Sequence, residues 1–277
     1  MMNALQEYIT STNPQVWLDS ENVNGLDNPQ PLDNAGVNVF TNLGSIGNVA
    51  NAIVDNVNIF PPTFRANGGL NNKPYIDIDP SIGVSKALFI PDNNWIAGVN
   101  KFSFLIVASN ITIIDSNNYG VVSRDIGTNF GSIVIGAVST SNDYSTINGQ
   151  THLGNVETQF AGDIRFINAD RHKRSFLSDI RTFDGQIGSK IISSDNILLK
   201  ETVNTVTSSN ISTLNYPITF GFRGRSNTGN PNNVVISSSN SGSKCKNRLY
   251  EFAYWKRTLS QNEVKRLQTY IKLKYNI

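Results

Sequence analysis

The sequence predicts an all-β protein: a two-sheet antiparallel jelly-roll sandwich closed at its C-terminus by one amphipathic helix. Three observations carry this prediction. The chain is crowded with apolar or alternating runs of strand length, separated by turn-forming clusters of Asn, Ser, Gly and Pro. Asn alone supplies about 38 of the 277 residues. Only the C-terminal stretch shows a clear helical period. The length, 277 residues, lies at the upper end of what one core supports, since all-β sandwiches reach about 200–250 residues as one unit. We expect one large domain over residues 14–277, preceded by an N-terminal extension over residues 1–13.

Taken in order, residues 1–13 read as a short helical lead with Leu5, Tyr8 and Ile9 on one side, broken at Asn13-Pro14. Val16 to Asp19 is a first strand, and the Asn-, Pro-, Asp- and Gly-rich residues 20–36 form a loop. Val37 to Phe40 alternates weakly and leads into turns from Asn42 to Asn51. Pro61 to Phe64 is extended, because proline fixes its own φ and biases its predecessor away from helix. From Lys73 to Asp79, Tyr75, Asp77 and Asp79 alternate with Ile76 and Ile78. Phe102 to Ala108 is the most apolar run, bounded by Gly98 and Asn110, and is expected as a central strand buried on both faces. Ile133 to Val138 is similar. Phe176, Ser178 and Ile180 alternate with Leu177, Asp179 and Arg181. Ile191 to Leu199 reads as a hairpin turning at Asp195-Asn196, a pair that accepts left-handed geometry. Ile218 to Arg223 is a strand, Gly224 to Pro231 a loop, and Val234 to Ile236 a short strand. In the final strand, Arg248 to Trp255, we expect Leu249, Glu251, Ala253 and Trp255 opposite Tyr250, Phe252 and Tyr254. Trp17 and Trp255 are read as core.

The helix signal is the sharpest of all. Ser260 stands three residues before Glu263, which makes a capping box, and Leu259 with Val264 fits a hydrophobic staple. Val264, Leu267, Ile271 and Lys274 or Tyr275 repeat at helical spacing, so one face can pack on the sheets. Lys272 and Lys274 near the last turn suit the helix dipole.

Composition narrows the function. Hydrophobic residues make up 39% and charged residues 16%, the latter against a common value of about 25%. Net charge is +2 and no long block of like charge occurs. The densest basic runs are Arg171, His172, Lys173, Arg174 and the looser Lys244, Lys246, Arg248. A nucleic-acid binder would carry a basic face, and the pI of 8.6 arises from few charges, so no nucleic-acid partner is expected. Cys245, the one cysteine, has no internal disulfide partner. Its flanking lysines could lower the thiol pKa, set against the simpler reading of an incidental thiol in or beside a strand. The N-terminus lacks the basic and apolar regions of a secretory signal. No run approaches the roughly 18 apolar residues of a membrane span. Cytoplasmic synthesis, without a signal peptide or a membrane partner, is therefore expected.

Several segments, in order, resemble the concanavalin A-like lectin/glucanase superfamily in its laminin-G-like branch, common in bacterial surface proteins and in bacteriophage structural proteins. They are Val16-Trp17-Leu18-Asp19-Ser20, the Gly47-Asn48 turn, Pro62 followed by Lys73-Pro74-Tyr75-Ile76-Asp77-Ile78-Asp79, and Phe102 to Ala108. The closing stretch, Leu249 to Trp255, Leu259-Ser260, Glu263 to Tyr270 and Lys274-Tyr275-Asn276-Ile277, is the most specific. Asn276 stands where the family usually has Gly, Pro80 follows Asp79 where Gly is usual, and residues 110–170 match no family segment. The resemblance implies a non-catalytic virion structural or appendage protein, a decoration or fibre module assembled in the host cytoplasm. Its partners would be other virion proteins or further copies of itself. The alternative it implies is a carbohydrate-binding module for host attachment, with cell-surface glycans as partners, and less readily a glycoside hydrolase.

Catalytic residues are not expected. Related glucanases carry several acids on one strand, and the nearest match here is Asp77-x-Asp79, with no glutamate following and Pro80 interrupting. His152 and His172 are far apart and lack cysteine partners for zinc. No nucleophile-elbow motif is present. Sugar binding needs an exposed ring and placed hydrogen-bonders. Trp95, in the polar loop Pro91-Asp92-Asn93-Asn94-Trp95, is the candidate ring, weighed against a Trp95 tucked onto the sandwich. Asp92, Asn93 and Asn94 are its candidate polar partners. These three could also offer oxygens to calcium, but nothing approaches a full loop signature, so no cofactor or metal is expected.

Overall fold

The computed structural model describes residues 5–54, 59–80, 85–91, 95, 101–113, 121–124, 133–140, 144–153, 156–159, 173–183, 189–195, 198–204, 217–221 and 245–276. Helices α1 (Gln6–Thr10) and α2 (Gln261–Tyr275) are the first and last elements in the chain. Between them the first half supplies β1 (Val16–Asp19), β2 (Val39–Phe40), β3 (Ala52–Ile53), β4 (Ile59–Phe60), β5 (Thr63–Arg65), β6 (Tyr75–Ile78), β7 (Ser85–Lys86), β8 (Leu88–Ile90) and β9 (Phe102–Ile113). The second half supplies β10 (Val122–Arg124), β11 (Ile133–Thr140), β12 (Tyr144–Leu153), β13 (Val156–Gln159), β14 (Lys173–Phe183), β15 (Ser189–Asp195), β16 (Leu198–Asn204), β17 (Ile218–Phe220) and β18 (Cys245–Trp255).

Two antiparallel sheets dominate. The six-stranded sheet runs β14-β9-β18-β6-β5, with β1 also paired to β18. The eight-stranded sheet runs β13-β12-β11-β10-β17-β8-β3-β2. Strands β15 and β16 pair antiparallel with Asp195 opposite Leu198; the turn expected at Asp195-Asn196 reaches beyond the described residues. This is the two-sheet sandwich with a C-terminal helix that the sequence predicts. Residues 110–170, which match no family segment, hold β10 to β13 and extend the eight-stranded sheet beyond β17. The short strand expected at Val234 to Ile236 lies outside the described residues.

Strand β9 is central, with β14 on one edge and β18 on the other. Its alternation feeds two cores. Phe102, Phe104, Ile106 and Ala108 join Leu18, Ile76, Ile78, Leu88, Ile90 and Phe220 between the sheets. Leu105 and Val107 point the other way, toward Leu259, Val264, Leu267, Tyr270 and Ile271 of the helical region. The period-2 rule thus places apolar residues on both faces of one strand.

Strand β18 departs from the expected alternation. Its pairing with β9 shifts register between Lys246 and Arg248 and again between Leu249 and Glu251. The second bulge puts Tyr250 on the helix side directly before Glu251, while Leu249, Phe252 and Tyr254 share the inter-sheet core. Leu249 therefore does not share a face with Glu251, Ala253 and Trp255.

Asparagine does what its abundance suggests at several turns. Asn13, Asn34, Asn71, Asn72, Asn110 and Asn276 all adopt positive φ, a conformation Asn tolerates better than most residues. Asn276, at φ 54°, ends α2 in the left-handed cap that glycine usually occupies. The Gly47-Asn48 turn is held by buried Asn42. Its Oδ1 accepts from the Trp17 and Gly44 amides at 2.8 and 2.9 Å, and its Nδ2 donates to the Gly47 carbonyl at 2.9 Å. Gly44 is required there, because a Cβ would lie 2.3 Å from the Gln15 carbonyl oxygen.

Candidate functional site

The predicted ring is not at the surface. Trp95 is only 6% exposed and belongs to the inter-sheet core. Its Nε1 donates to the Pro91 carbonyl at 2.7 Å, and its ring meets Tyr254 edge-on with centroids 5.4 Å apart. A buried indole satisfies its N–H and packs its faces, so stacking on a sugar from this ring is not open to it. Asp92, Asn93 and Asn94 lie outside the described residues.

The paired carboxylates are engaged by cations. Asp77 lies 3.9 Å from the Arg65 guanidinium, and Asp79 accepts from Lys246 at 2.7 Å. Both belong to β6 or its end, on the face opposite Ile76 and Ile78, as strand geometry requires. Among the described residues no group of three His, Cys, Asp or Glu side chains is placed to hold a metal, and no helix is long and apolar enough to cross a membrane. Cys245 is buried, and burial pushes its thiol up to about 12 against an opposing hydrogen bond from Asn247. The neighbouring lysines therefore do not activate it. His152 falls in β12; His172 is outside the described residues.

The densest polar constellation was missed from the sequence. Lys274 of α2 is 3% exposed, with its ammonium 2.8 Å from Asp19 Oδ1, 3.2 Å from Glu251 Oε2 and 2.9 Å from the Tyr270 hydroxyl. Glu251 also accepts from Trp17 Nε1 at 2.8 Å, Tyr270 at 2.7 Å and Tyr275 at 3.0 Å. Asp19 accepts the Glu21 amide and the Asn22 side chain, which fixes the turn after β1. Burial pulls Lys274 down, but Asp19, Glu251, Tyr275 and Glu21 outweigh it and hold the ammonium well above its ordinary value. Burial and the nearby carboxylates push the Tyr270 hydroxyl well up. Tyr275 is likewise raised by burial and Glu251, against the pull of Lys274. A signal was present: Lys274 sits on the same helical stripe as Val264, Leu267 and Ile271, and a lysine on a buried stripe needs acids opposite. Asp19, Glu251 and Lys274 are buried and bonded to one another, so this cluster fastens the helix to the sheet rather than handling a ligand.

The surface offers a different candidate. Among the described side chains Phe60 is the exposed aromatic ring, half of its surface open. It pairs in register with Lys86 across the parallel β4–β7 contact, and register partners in parallel strands project to the same side. The Lys86 ammonium is 3.5 Å from the Thr63 hydroxyl. Pro61 and Pro62 follow Phe60 and stiffen its backbone, and the Val37 amide donates to the Pro62 carbonyl at 2.8 Å. Exposed Leu32 and the Asn34 turn run along β5 nearby, where the Asn34 amide donates to the Phe64 carbonyl and Arg65 donates to the Asn34 side chain. A ring, an ammonium and a hydroxyl on a proline-stiffened edge can stack on a sugar face and bond its hydroxyls.

No protein-family model matches the chain, and a search of curated proteins gives no match. Solved structures do resemble it. A botulinum neurotoxin serotype D/C binding domain superposes with a TM-score of 0.53 at 14% identity, covering 95% of this chain and 53% of that one. The binding domain of botulinum neurotoxin DC in complex with SialylT gives 0.52 at 14% identity, over 95% and 52%. An arabinofuranosidase complexed with arabinofuranosyl-alpha-1,2-xylobiose gives 0.57 at 10% identity, over 87% and 51%. The chain spans about half the length of each. These likenesses define the class as a two-sheet β-sandwich. At such identities they show the fold and no more.

Proposed function

We propose that this chain is a non-catalytic glycan-binding module that serves attachment, carried on a bacteriophage particle as part of an appendage. The observation that carries the reading is the exposed Phe60 ring beside Lys86 and Thr63, where the two-stranded β4–β7 sheet meets the edge strand β5 of the sandwich. Supporting it are a neighbour crystallised with SialylT and another with an arabinofuranosyl-xylobiose, and the cation pairs that engage Asp77 and Asp79. The virion setting rests on the laminin-G-like pattern of the sequence.

A second reading, a decoration or fibre module that binds no sugar, is favoured by the exposed apolar side chains Leu32, Val39, Val49 and Phe60, which suit contact with other virion proteins or further copies as well as a sugar face. A glycan array on the intact chain, with light scattering on the same sample, separates the two. Saturable binding that Phe60→Ala weakens at least about tenfold, a loss of one stacked ring, supports the first reading. A defined oligomer with no glycan bound supports the second.

A further inference from the structure

The cluster beneath α2 contains more acid than base. Asp19, Glu21 and Glu251 face Lys274, and Glu21 is shared with Lys73 at 2.8 Å. Three carboxylates against two ammonium groups leave one uncompensated negative charge when all are ionised. Asp19 and Glu251 are fully buried. The other groups facing them are Trp17 from β1, Asn22 from the following turn, and Tyr270 and Tyr275 from α2. Asn71 donates to the Lys274 carbonyl rather than to its ammonium. From β14 the described side chain packed under the helix is the apolar Ile180, and from α1 they are Ile9 and Tyr8, the Tyr8 ring lying under Arg266. Lys274 is the ammonium that touches both buried carboxylates, and a buried pair of acids sharing one cation is costly when both are ionised.

We infer that α2 is a proton-dependent clasp: it docks on the sandwich with one proton bound in the Glu251–Asp19–Lys274 cluster and loosens when that proton leaves. The proton has a place. Glu251 Oε2 lies 3.0 Å from the Tyr275 hydroxyl, which can accept as well as donate. With the proton there, Trp17 and Tyr270 still donate to Oε1, and Lys274 keeps Asp19 and Tyr270. Burial pushes Glu251 above the ordinary carboxylate range and Asp19 adds to the rise, against Lys274, Tyr270 and Trp17. A carboxyl whose value is higher folded than unfolded binds its proton more tightly in the folded state. Its stabilisation is complete below about 4.3, the ordinary value for Glu, and is lost as pH rises through the folded value. What loosens is the cover over Trp17, Leu105, Val107, Ala253 and Trp255, an apolar sheet face. The inference stands independently of the glycan reading.

Two measurements on the full chain decide it. In carboxyl-labelled protein, the Glu251 resonance should titrate with a midpoint above the ordinary range; a midpoint at or below it overturns the inference. Amide exchange over residues 261–275, corrected for intrinsic rate, should lose protection as pH rises above the ordinary carboxylate range, by about tenfold for each unit of displacement. Glu251→Gln removes the surplus charge and should flatten that dependence with the helix still docked. Protection that is flat in the wild-type chain, or a slope unchanged in the variant, overturns it. If Glu251→Gln does not fold, the wild-type resonance still decides.

Discussion

The core between the sheets and the core beneath α2 draw on the same strands, β1, β6, β9 and β18, yet they are built differently. Between the sheets the residues are apolar almost throughout, from Val16 and Leu18 to Phe252 and Tyr254. Beneath α2 an equally buried region encloses Asp19, Glu251 and Lys274. Burial of apolar area is non-directional; a stripe of Val264, Leu267 and Ile271 alone would tolerate rotation or a slip of the helix. The ammonium, fixed to one residue each of β1 and β18, specifies a single seating. The first core supplies cohesion, and the second adds register.

Placing the same residue in both cores tests this contrast most strongly. Lys274→Met keeps most of the stem volume but strands two buried carboxylates, and should cost about 3–5 kcal/mol in urea unfolding. Leu18→Met conserves volume between the sheets and should cost under about 1.5 kcal/mol. Equal losses would mean that Lys274 acts by packing, and the contrast would fail.

Next in size is the start of α2. Ser260 accepts the Glu263 amide at 3.3 Å, and Glu263 accepts the Ser260 amide at 2.8 Å, closing the capping box. Ser260→Ala should cost about 1 kcal/mol, read from the same unfolding curves. A loss near that of Lys274→Met would show that the cap, not the ionic cluster, fastens the helix.

The two ends of α2 should also respond oppositely to pH. Arg257 is 2.6 Å from Glu263, and with the Ser260 bonds it holds the Glu263 carboxyl down at about 2 against partial burial. A depressed carboxyl contributes stability above its ordinary value of about 4.3 that is lost as pH falls toward 2. Glu251 contributes in the reverse sense. Glu263→Gln should therefore shallow the acid limb of a stability–pH profile, by about 1 kcal/mol or less because the pair is part-solvated, and leave the Glu251-dependent loss at higher pH unchanged.

Much of this architecture was legible in the sequence because periodicity and punctuation are local. The capping box, the staple, the alternation of Tyr75 to Ile78 and the apolar run of β9 all follow from side-chain spacing. The bulge at Tyr250 was not legible, since it depends on how β18 registers against β9. Trp95 misled for a related reason: its sequence neighbours are polar, but its ring is placed by Tyr254, far along the chain. Lys274 read as a complement to the helix dipole, because its acids come from β1 and β18. Phe60 gave no signal at all, being one phenylalanine before two prolines, and its interest lies in exposure, which spacing does not report.

The smallest expected effect on stability is also the one that separates function from folding. Phe60 is half open and absent from the buried clusters that make up the two cores, so Phe60→Ala should change unfolding free energy by no more than about 0.5 kcal/mol. Its partner Lys86 is part-buried but outside both cores, and Lys86→Ala should be as mild. If glycan affinity falls in both variants while the unfolding curves overlay the wild type, the edge of β4 and β7 is a binding surface and the cores are its scaffold. If either variant instead loses stability comparable to Leu18→Met, Phe60 belongs to the packing of the sandwich. The exposed edge would then be continuous with the first core, and the site would have to be sought elsewhere on the sheets.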